Sequence, residues 1–91
     1  MARPLIEYVI TPHAAAQLQR RGMGEGVVRR VLAAPEQRTA VRLGRDVFQA
    51  RAVFAGKAYL VRVFVDVDRQ PAEVVTAYRT GRIEKYRRSE P

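Results

Sequence analysis

The chain has 91 residues, one histidine and no cysteine, so we expect one domain with a modest core, and disulfides, thiolate nucleophiles and cysteine zinc sites are excluded. Seventeen lysines and arginines against nine acidic residues give a net charge of +8, which favours polyanionic partners such as nucleic acid, acidic lipid or acidic protein. No apolar stretch has the length of a membrane span and the N-terminus lacks the pattern of a signal peptide, so we expect a cytoplasmic protein without membrane contact.

The first part of the chain predicts a short strand and two helices. Residues 5–10 are predicted as the strand. Residues 11–22, "TPHAAAQLQRRG", predict a helix with Thr11 as its N-cap and Gly22 just after its end. A second helix is predicted in 23–36, where an apolar stripe precedes a terminating proline. Because only "GMG" joins the two helices, we expect them to form a helical hairpin.

The rest of the chain predicts strands. The alternating segments are residues 38–43, 47–55, 59–67 and 72–78. Tight turns between them imply an antiparallel meander, and residues 82–88 are predicted as a short helix or a frayed tail. The predicted fold class is α+β, with the N-terminal helical hairpin packed on one face of an antiparallel sheet of about four strands. We expect a single domain of residues 1–91, with its core in about 5–80 and a basic C-terminal segment in 81–91.

Alternation along these strands divides their side chains between two faces. The apolar face, predicted to lie under the helices, carries Phe48, Ala50, Ala52, Phe54, Val61, Val63, Val65, Val67, Val75 and Ala77. The opposite face is predicted to be open and carries Arg51, Arg62, Thr76 and Tyr78, with Val74 beside them. Arginines can hold a phosphate and tyrosine can stack on a base or move a proton. The alternative is an ordinary solvated face, where arginine and threonine are common.

His13 is the natural candidate for a general base near neutral pH, because it is the only histidine. Gln17, Arg20 and Arg21 follow it near one side of the predicted helix. The alternative is that His13 is a surface or capping residue at the helix start. One histidine without cysteine cannot build the usual zinc shell, and no glycine-rich loop resembles a nucleotide cradle. We therefore predict no metal and no cofactor.

Two stretches together resemble a known family. The N-terminal "TPHAAAQLQRRGMGEGVVRRVLAAPE" and the late "TAY" followed by "RIEKYRR" resemble the prokaryotic family called domain of unknown function 4258. The family's pattern falls on His13, Arg21, Gly22, Thr76 and Tyr78, and Gln17 stands where many members have an arginine. The order of elements is similar to that of the RelE-like and barnase-like ribonuclease toxins, in which an open sheet face cuts RNA without metal. The resemblance therefore implies a RelE/barnase-like fold and metal-free ribonuclease chemistry.

Three functions stay open. The first is a metal-independent endoribonuclease of the toxin–antitoxin type, in which His13 or Tyr78 transfers protons and Thr76 orients the substrate. The residues predicted to bind RNA are Arg21, Arg51, Arg62, Arg79, Arg82, Lys85 and Tyr86. The second is a non-catalytic RNA-binding module that uses the same cations, with Tyr78 and Tyr86 as stacking platforms. The third is a protein-interaction domain that docks an acidic, antitoxin-like partner on its basic face or edge strand.

Overall fold

A computed structural model describes residues 2–87 as three helices and one five-stranded sheet. In chain order the elements are β1 (Tyr8–Ile10), α1 (Pro12–Arg20), α2 (Glu25–Ala33), β2 (Gln37–Arg42), β3 (Arg45–Phe54), β4 (Lys57–Asp66), β5 (Ala72–Thr80) and α3 (Ile83–Tyr86). The strand order is β1-β5-β4-β3-β2. Among residues 2–87, no helix has the length and apolar character that crossing a bilayer requires. The predictions for residues 88–91 lie outside the described part of the chain.

The predicted architecture is wrong. The sheet has five strands instead of about four, and it is mixed, because β1 pairs in parallel with β5 while the other described pairs are antiparallel. The helices do not pack as a hairpin, since α1 lies against β5 whereas α2 lies against β3 and β4. The RelE/barnase-like arrangement is therefore not the fold of this chain. A strand was predicted at residues 5–10, but its parallel pairing was not, because its partner β5 lies near the far end of the chain.

The ends of α1 are those predicted. The side-chain oxygen of Thr11 accepts a hydrogen bond from the backbone N–H of Ala14 at 3.1 Å, which satisfies one of the free donors at the helix start. The same hydroxyl donates to the carbonyl of Val74 at 3.0 Å, so the cap also fastens α1 to β5. Gly22 follows the helix with a φ of +67°, a conformation that glycine adopts without steric cost.

The hydrophobic core lies between the sheet and the two longer helices. Its largest fully buried members are Phe48, Leu18, Leu32, Val28, Val61, Val63, Val65 and Val74. Val74 rather than Val75 belongs to this core, contrary to the prediction, because β5 contains a bulge. Phe64 pairs with Thr76 while the next residue, Val65, pairs with Val74. The extra residue in β5 reverses the alternation on its N-terminal side.

The opposite side of the sheet was predicted to be open, and this is wrong for its centre. Gln49 and Leu60 project there, and they are only 4% and 0% exposed. The C-terminal α3 lies against this side, where its Tyr86 carbonyl accepts a hydrogen bond from the amide of Gln49 at 2.9 Å. The chain therefore covers the middle of its own second face.

Candidate nucleic-acid interface

Four polar side chains form a continuous row across the covered face of the sheet. The register places Gln37 opposite Gln49, Gln49 opposite Arg62, and Arg62 opposite Tyr78. Gln49 Nε2 donates to Gln37 Oε1 at 2.7 Å. Arg62 donates from Nε to Gln49 Oε1 at 2.9 Å and from Nη1 to the Tyr78 hydroxyl at 2.6 Å. We call these four residues the polar row, and its hydrogen bonds link β2, β3, β4 and β5.

The guanidinium of Arg62 lies among three aromatic rings. Its Cζ is 4.4 Å from the ring centroid of Tyr86, 5.4 Å from that of Phe64 and 5.7 Å from that of Tyr78. Phe64 and Tyr78 are themselves stacked, with centroids 6.0 Å apart and ring planes at 24°. Each cation–π contact adds about 0.5–1 kcal/mol where water has access. We call Arg62, Phe64, Tyr78 and Tyr86 the Arg62 cluster.

The α3 segment brings further cations to this cluster. Arg82 and Lys85 are exposed, and the Lys85 ammonium lies 5.3 Å from the centroid of Tyr86. Arg87 donates from Nε to Glu36 Oε1 at 3.2 Å, so the end of α3 is held to the segment before β2. Of the residues predicted from the basic C-terminal run, the structure thus places Tyr86 against Arg62 and Lys85 beside Tyr86.

Thr76 and Arg21 meet at the edge of β5 rather than in the Arg62 cluster. β1 ends opposite Val74, and α1 lies along the edge beyond it. Arg21 Nη1 donates to the carbonyl of Ala77 at 2.6 Å and to the Thr76 hydroxyl at 3.3 Å. The Thr76 hydroxyl donates to Gln17 Oε1, so it is engaged as both donor and acceptor. These contacts attach the end of α1 to the edge of β5. This structural role accounts for Arg21 and Thr76 without catalysis.

Gln17, which stands where many members of the resembled family have an arginine, has a structural role in this chain. Its side-chain oxygen accepts a hydrogen bond from the Thr76 hydroxyl. An arginine cannot accept this bond, because a guanidinium has donors only. Glutamine at this position therefore holds the Thr76 hydroxyl in place.

His13 lies at the other end of the same edge. It is exposed in the first turn of α1, two residues after Thr11, whose N–H donates to the carbonyl of Val74 at 3.2 Å. Tyr78 follows Val74 by four residues, or roughly 13 Å along the strand. Within residues 2–87, His13 forms no hydrogen bond or ion pair. The two candidates for proton transfer are therefore not brought together, and their catalytic roles stay predictions.

Arg51 and Arg79 are not members of the Arg62 cluster, and they lie on opposite faces of the sheet. Arg79 is on the helix-facing side, because it is adjacent to Tyr78 and neighbouring strand residues face opposite ways. Its Cζ lies 4.4 Å from the centroid of Phe54 and 5.1 Å from that of Tyr59. Arg51 is at the edge of β3, where its Nε lies 3.1 Å and 3.3 Å from the two carboxylate oxygens of Glu36. A single phosphate site built from all three arginines is therefore not formed.

One ion pair in the described residues changes the pKa of its members. Arg45 donates to Asp66 from Nε at 2.6 Å and from Nη2 at 3.2 Å. These hydrogen bonds hold the pKa of Asp66 below its ordinary value, and the same contact raises the pKa of Arg45. The pair joins β3 to β4 four residues along β3 from Gln49, so it stabilises the hairpin rather than the Arg62 cluster. In residues 2–87, no group of acidic side chains and histidine is arranged to hold a metal ion.

The sequence did not indicate Gln37 and Gln49 as members of the site. Gln49 is two residues from Arg51 and therefore shares its face of β3, but only the register of β2, β3 and β4 shows that it bonds Arg62. Comparisons of the chain with protein-family models, with curated proteins and with solved structures find no match. The resemblance to domain of unknown function 4258 therefore stays a prediction, and the site has to be interpreted from its own geometry.

Proposed function

We propose that this protein is a module that binds single-stranded RNA without cleaving it, through the Arg62 cluster and the cations of α3. The observation that carries the proposal is the position of the Arg62 guanidinium, within 4.4–5.7 Å of three ring centroids. Proteins that bind single strands combine such stacked aromatic and arginine side chains with a positively charged track for the backbone. We also propose that the protein is cytoplasmic, where RNA is abundant.

The charges around the cluster support a phosphate track. The hydrogen bonds to Gln49 and Tyr78 engage two N–H donors of Arg62, and a guanidinium has further donors for a phosphate oxygen. Arg82 and Lys85 are exposed at α3, and Lys85 adds positive charge next to Tyr86. The chain's net charge of +8 attracts the whole polyanion.

Binding fits the described residues better than catalysis does. Cleavage of RNA at its own 2′-hydroxyl requires a base and an acid on either side of one phosphate. His13 and Tyr78 lie at different ends of the β5 edge, and the Thr76 hydroxyl is engaged by Gln17 and Arg21. A non-catalytic module needs charge and stacking surfaces alone.

A metal-independent endoribonuclease is the second candidate, and one contact favours it. The Tyr78 hydroxyl lies 2.6 Å from Nη1 of Arg62, so a proton-transfer group and a phosphate-binding cation are adjacent. This is the pairing that stabilises charge on a reacting phosphate.

The test measures binding of a fluorescent, mixed-sequence single-stranded RNA at several salt concentrations in EDTA. We expect Arg62→Gln to weaken binding about tenfold and to reduce the salt slope by about 0.7, the value for one lost phosphate contact on a single strand. The control is Arg29→Gln, which removes the same charge from an exposed position on α2 and should change the affinity less than about twofold. Circular dichroism confirms that both variants are folded.

The outcomes separate the two candidates. Equal effects of Arg62→Gln and Arg29→Gln mean that only net charge matters, which contradicts the proposed surface. Cleavage by the wild type in EDTA that Tyr78→Phe abolishes establishes the endoribonuclease instead.

A further inference from the structure

Within residues 2–87, the outer edge of β3 has no partner strand over its last part. β2 begins at Gln37, opposite Gln49, whereas β3 continues to Phe54. No strand in residues 2–87 lies beyond residues 50–54 on this side. The carbonyl of Gln49 accepts from the N–H of Glu36 at 2.9 Å, which shows that the backbone of Gln49 points outward.

Two further residues present their backbone groups at this edge. Alternate residues of an antiparallel strand direct their N–H and C=O groups to the same side, so Arg51 and Val53 point outward as Gln49 does. The β3–β4 turn is consistent with this, because Phe54 pairs directly with Lys57 across two residues, Ala55 and Gly56, that both have positive φ. The Val53 side chain is also 69% exposed. An unpaired strand edge of this kind is a template for an added strand.

A groove runs beside this edge on the helix-facing side. It has a volume of ≈ 210 Å³ and lies between α2 and β3. Its apolar lining residues are Val27, Val31, Ala34, Ala50 and Ala52, and its charged lining residues are Arg30, Glu36 and Arg51. An added strand would direct every second side chain toward this groove, so those side chains should be apolar and of moderate size.

Two arginines and one carboxylate, that of Glu36, line the groove at this edge, so its charge is positive overall. Arg30 lines the groove and is exposed. Arg51 keeps 53% of its side chain exposed although its Nε binds Glu36. The remaining side chains of an added strand would face Arg51, and acidic residues at those positions would gain both the local contact and the attraction of a chain with net charge +8. A second copy of this chain would instead bring its own arginines against these, which disfavours self-pairing.

We propose that the edge of β3 at Arg51 and Val53 binds an extended acidic segment of a partner protein by strand addition. Apolar residues of the segment enter the groove, and acidic residues alternate with them against Arg51. Arg51 and Val53 are not members of the Arg62 cluster, but Arg51 shares Glu36 with Arg87 at the end of α3, so the experiment also tests competition by RNA.

The experiment uses a fluorescent peptide of about eight residues that alternates valine with glutamate, and anisotropy measures its binding to the wild-type protein. Val53→Pro removes one outward N–H but keeps the β3–β4 pairing, because residue 53 does not donate to β4 and proline is tolerated at sheet edges. We expect binding to weaken about tenfold or more. The matched control Val53→Thr keeps the N–H and should change the affinity less than about threefold.

A second arm needs no variant of the protein. The same peptide methylated on the backbone nitrogens that would face β3 keeps its charges and side chains, and we expect it to lose binding. Three results would overturn the inference. The first is equal binding of the methylated and unmethylated peptides, which indicates electrostatic attraction alone. The second is a wild-type dimer that Val53→Pro dissociates, which assigns the edge to a second copy. The third is displacement of the peptide by single-stranded RNA, which assigns the edge to the RNA surface.

Discussion

Replacement of Tyr78 by phenylalanine removes one hydroxyl from the polar row and leaves the ring to stack on Phe64. The lost hydrogen bond comes from the charged Arg62 Nη1 at 2.6 Å. Hydrogen bonds to charged groups contribute about 1.5–3 kcal/mol. Arg62 and Tyr78 are only half-buried, so water reaches the freed N–H and the loss lies at the low end of this range. We expect the free energy of unfolding to fall by about 1.5 kcal/mol, which lowers Tm by roughly 6–12 °C in a chain of this size.

Urea unfolding followed by far-ultraviolet circular dichroism measures this loss. Tyr59→Phe is the matched control, because Tyr59 keeps its edge-to-face contact with Phe54 and its hydroxyl forms no hydrogen bond within residues 2–87. That variant should lose less than about 0.5 kcal/mol. RNA affinity of Tyr78→Phe should stay within about threefold of the wild type, since the stacking ring is retained. Equal stability losses in the two variants, or none in either, would refute the hydrogen-bonded row.

Two further predictions concern the turn and the ion pair at the Arg45 end of β3. Gly44 has a φ of +84°, and a Cβ there would come within 2.4 Å of the Asp68 carboxylate, so Gly44→Ala should destabilise by about 1–2 kcal/mol in urea unfolding. Gly26 lies within α2, where an added Cβ meets open space, so Gly26→Ala should raise the free energy of unfolding by about 0.5–1 kcal/mol. A Gly44→Ala variant more stable than Gly26→Ala would contradict the positive φ at Gly44. Because Arg45 lowers the pKa of Asp66, that carboxylate stabilises the fold above its ordinary pKa of about 4, and the contribution is lost as the pH falls through the lower folded value. Stability measured against pH should therefore fall less steeply on acidification in Asp66→Asn than in the wild type, and parallel curves would disprove the link.

Local signals in the sequence determined the elements whose partners are close along the chain. Thr11 and Gly22 bound α1 as predicted, because caps and positive φ depend on the residues at the helix ends. The β3–β4 hairpin follows from two alternating runs around a short turn. Alternation also placed Arg62 opposite the core and on the same face as Tyr78. These features depend only on the conformations of neighbouring residues and on the two-residue alternation of side chains along a strand.

The tertiary structure alone decided how these elements combine. β1 pairs with a strand more than sixty residues away, and no local pattern encodes the choice of so distant a partner. The bulge at Val75 shifts the alternation by one residue, so Val74 enters the core. Packing decides this, because a single inserted residue leaves the polar and apolar pattern ambiguous.

The same limit applies to the candidate site. The sequence supplied Arg62, Tyr78, Lys85 and Tyr86 as residue types, but their meeting depends on the fold of α3 back onto the sheet. Cross-strand register determines that Gln49 bonds Arg62, and register is set by the buried face of the whole sheet. The residue types were thus readable from the sequence, whereas their distances were fixed only when the sheet, the helices and the C-terminal segment packed together.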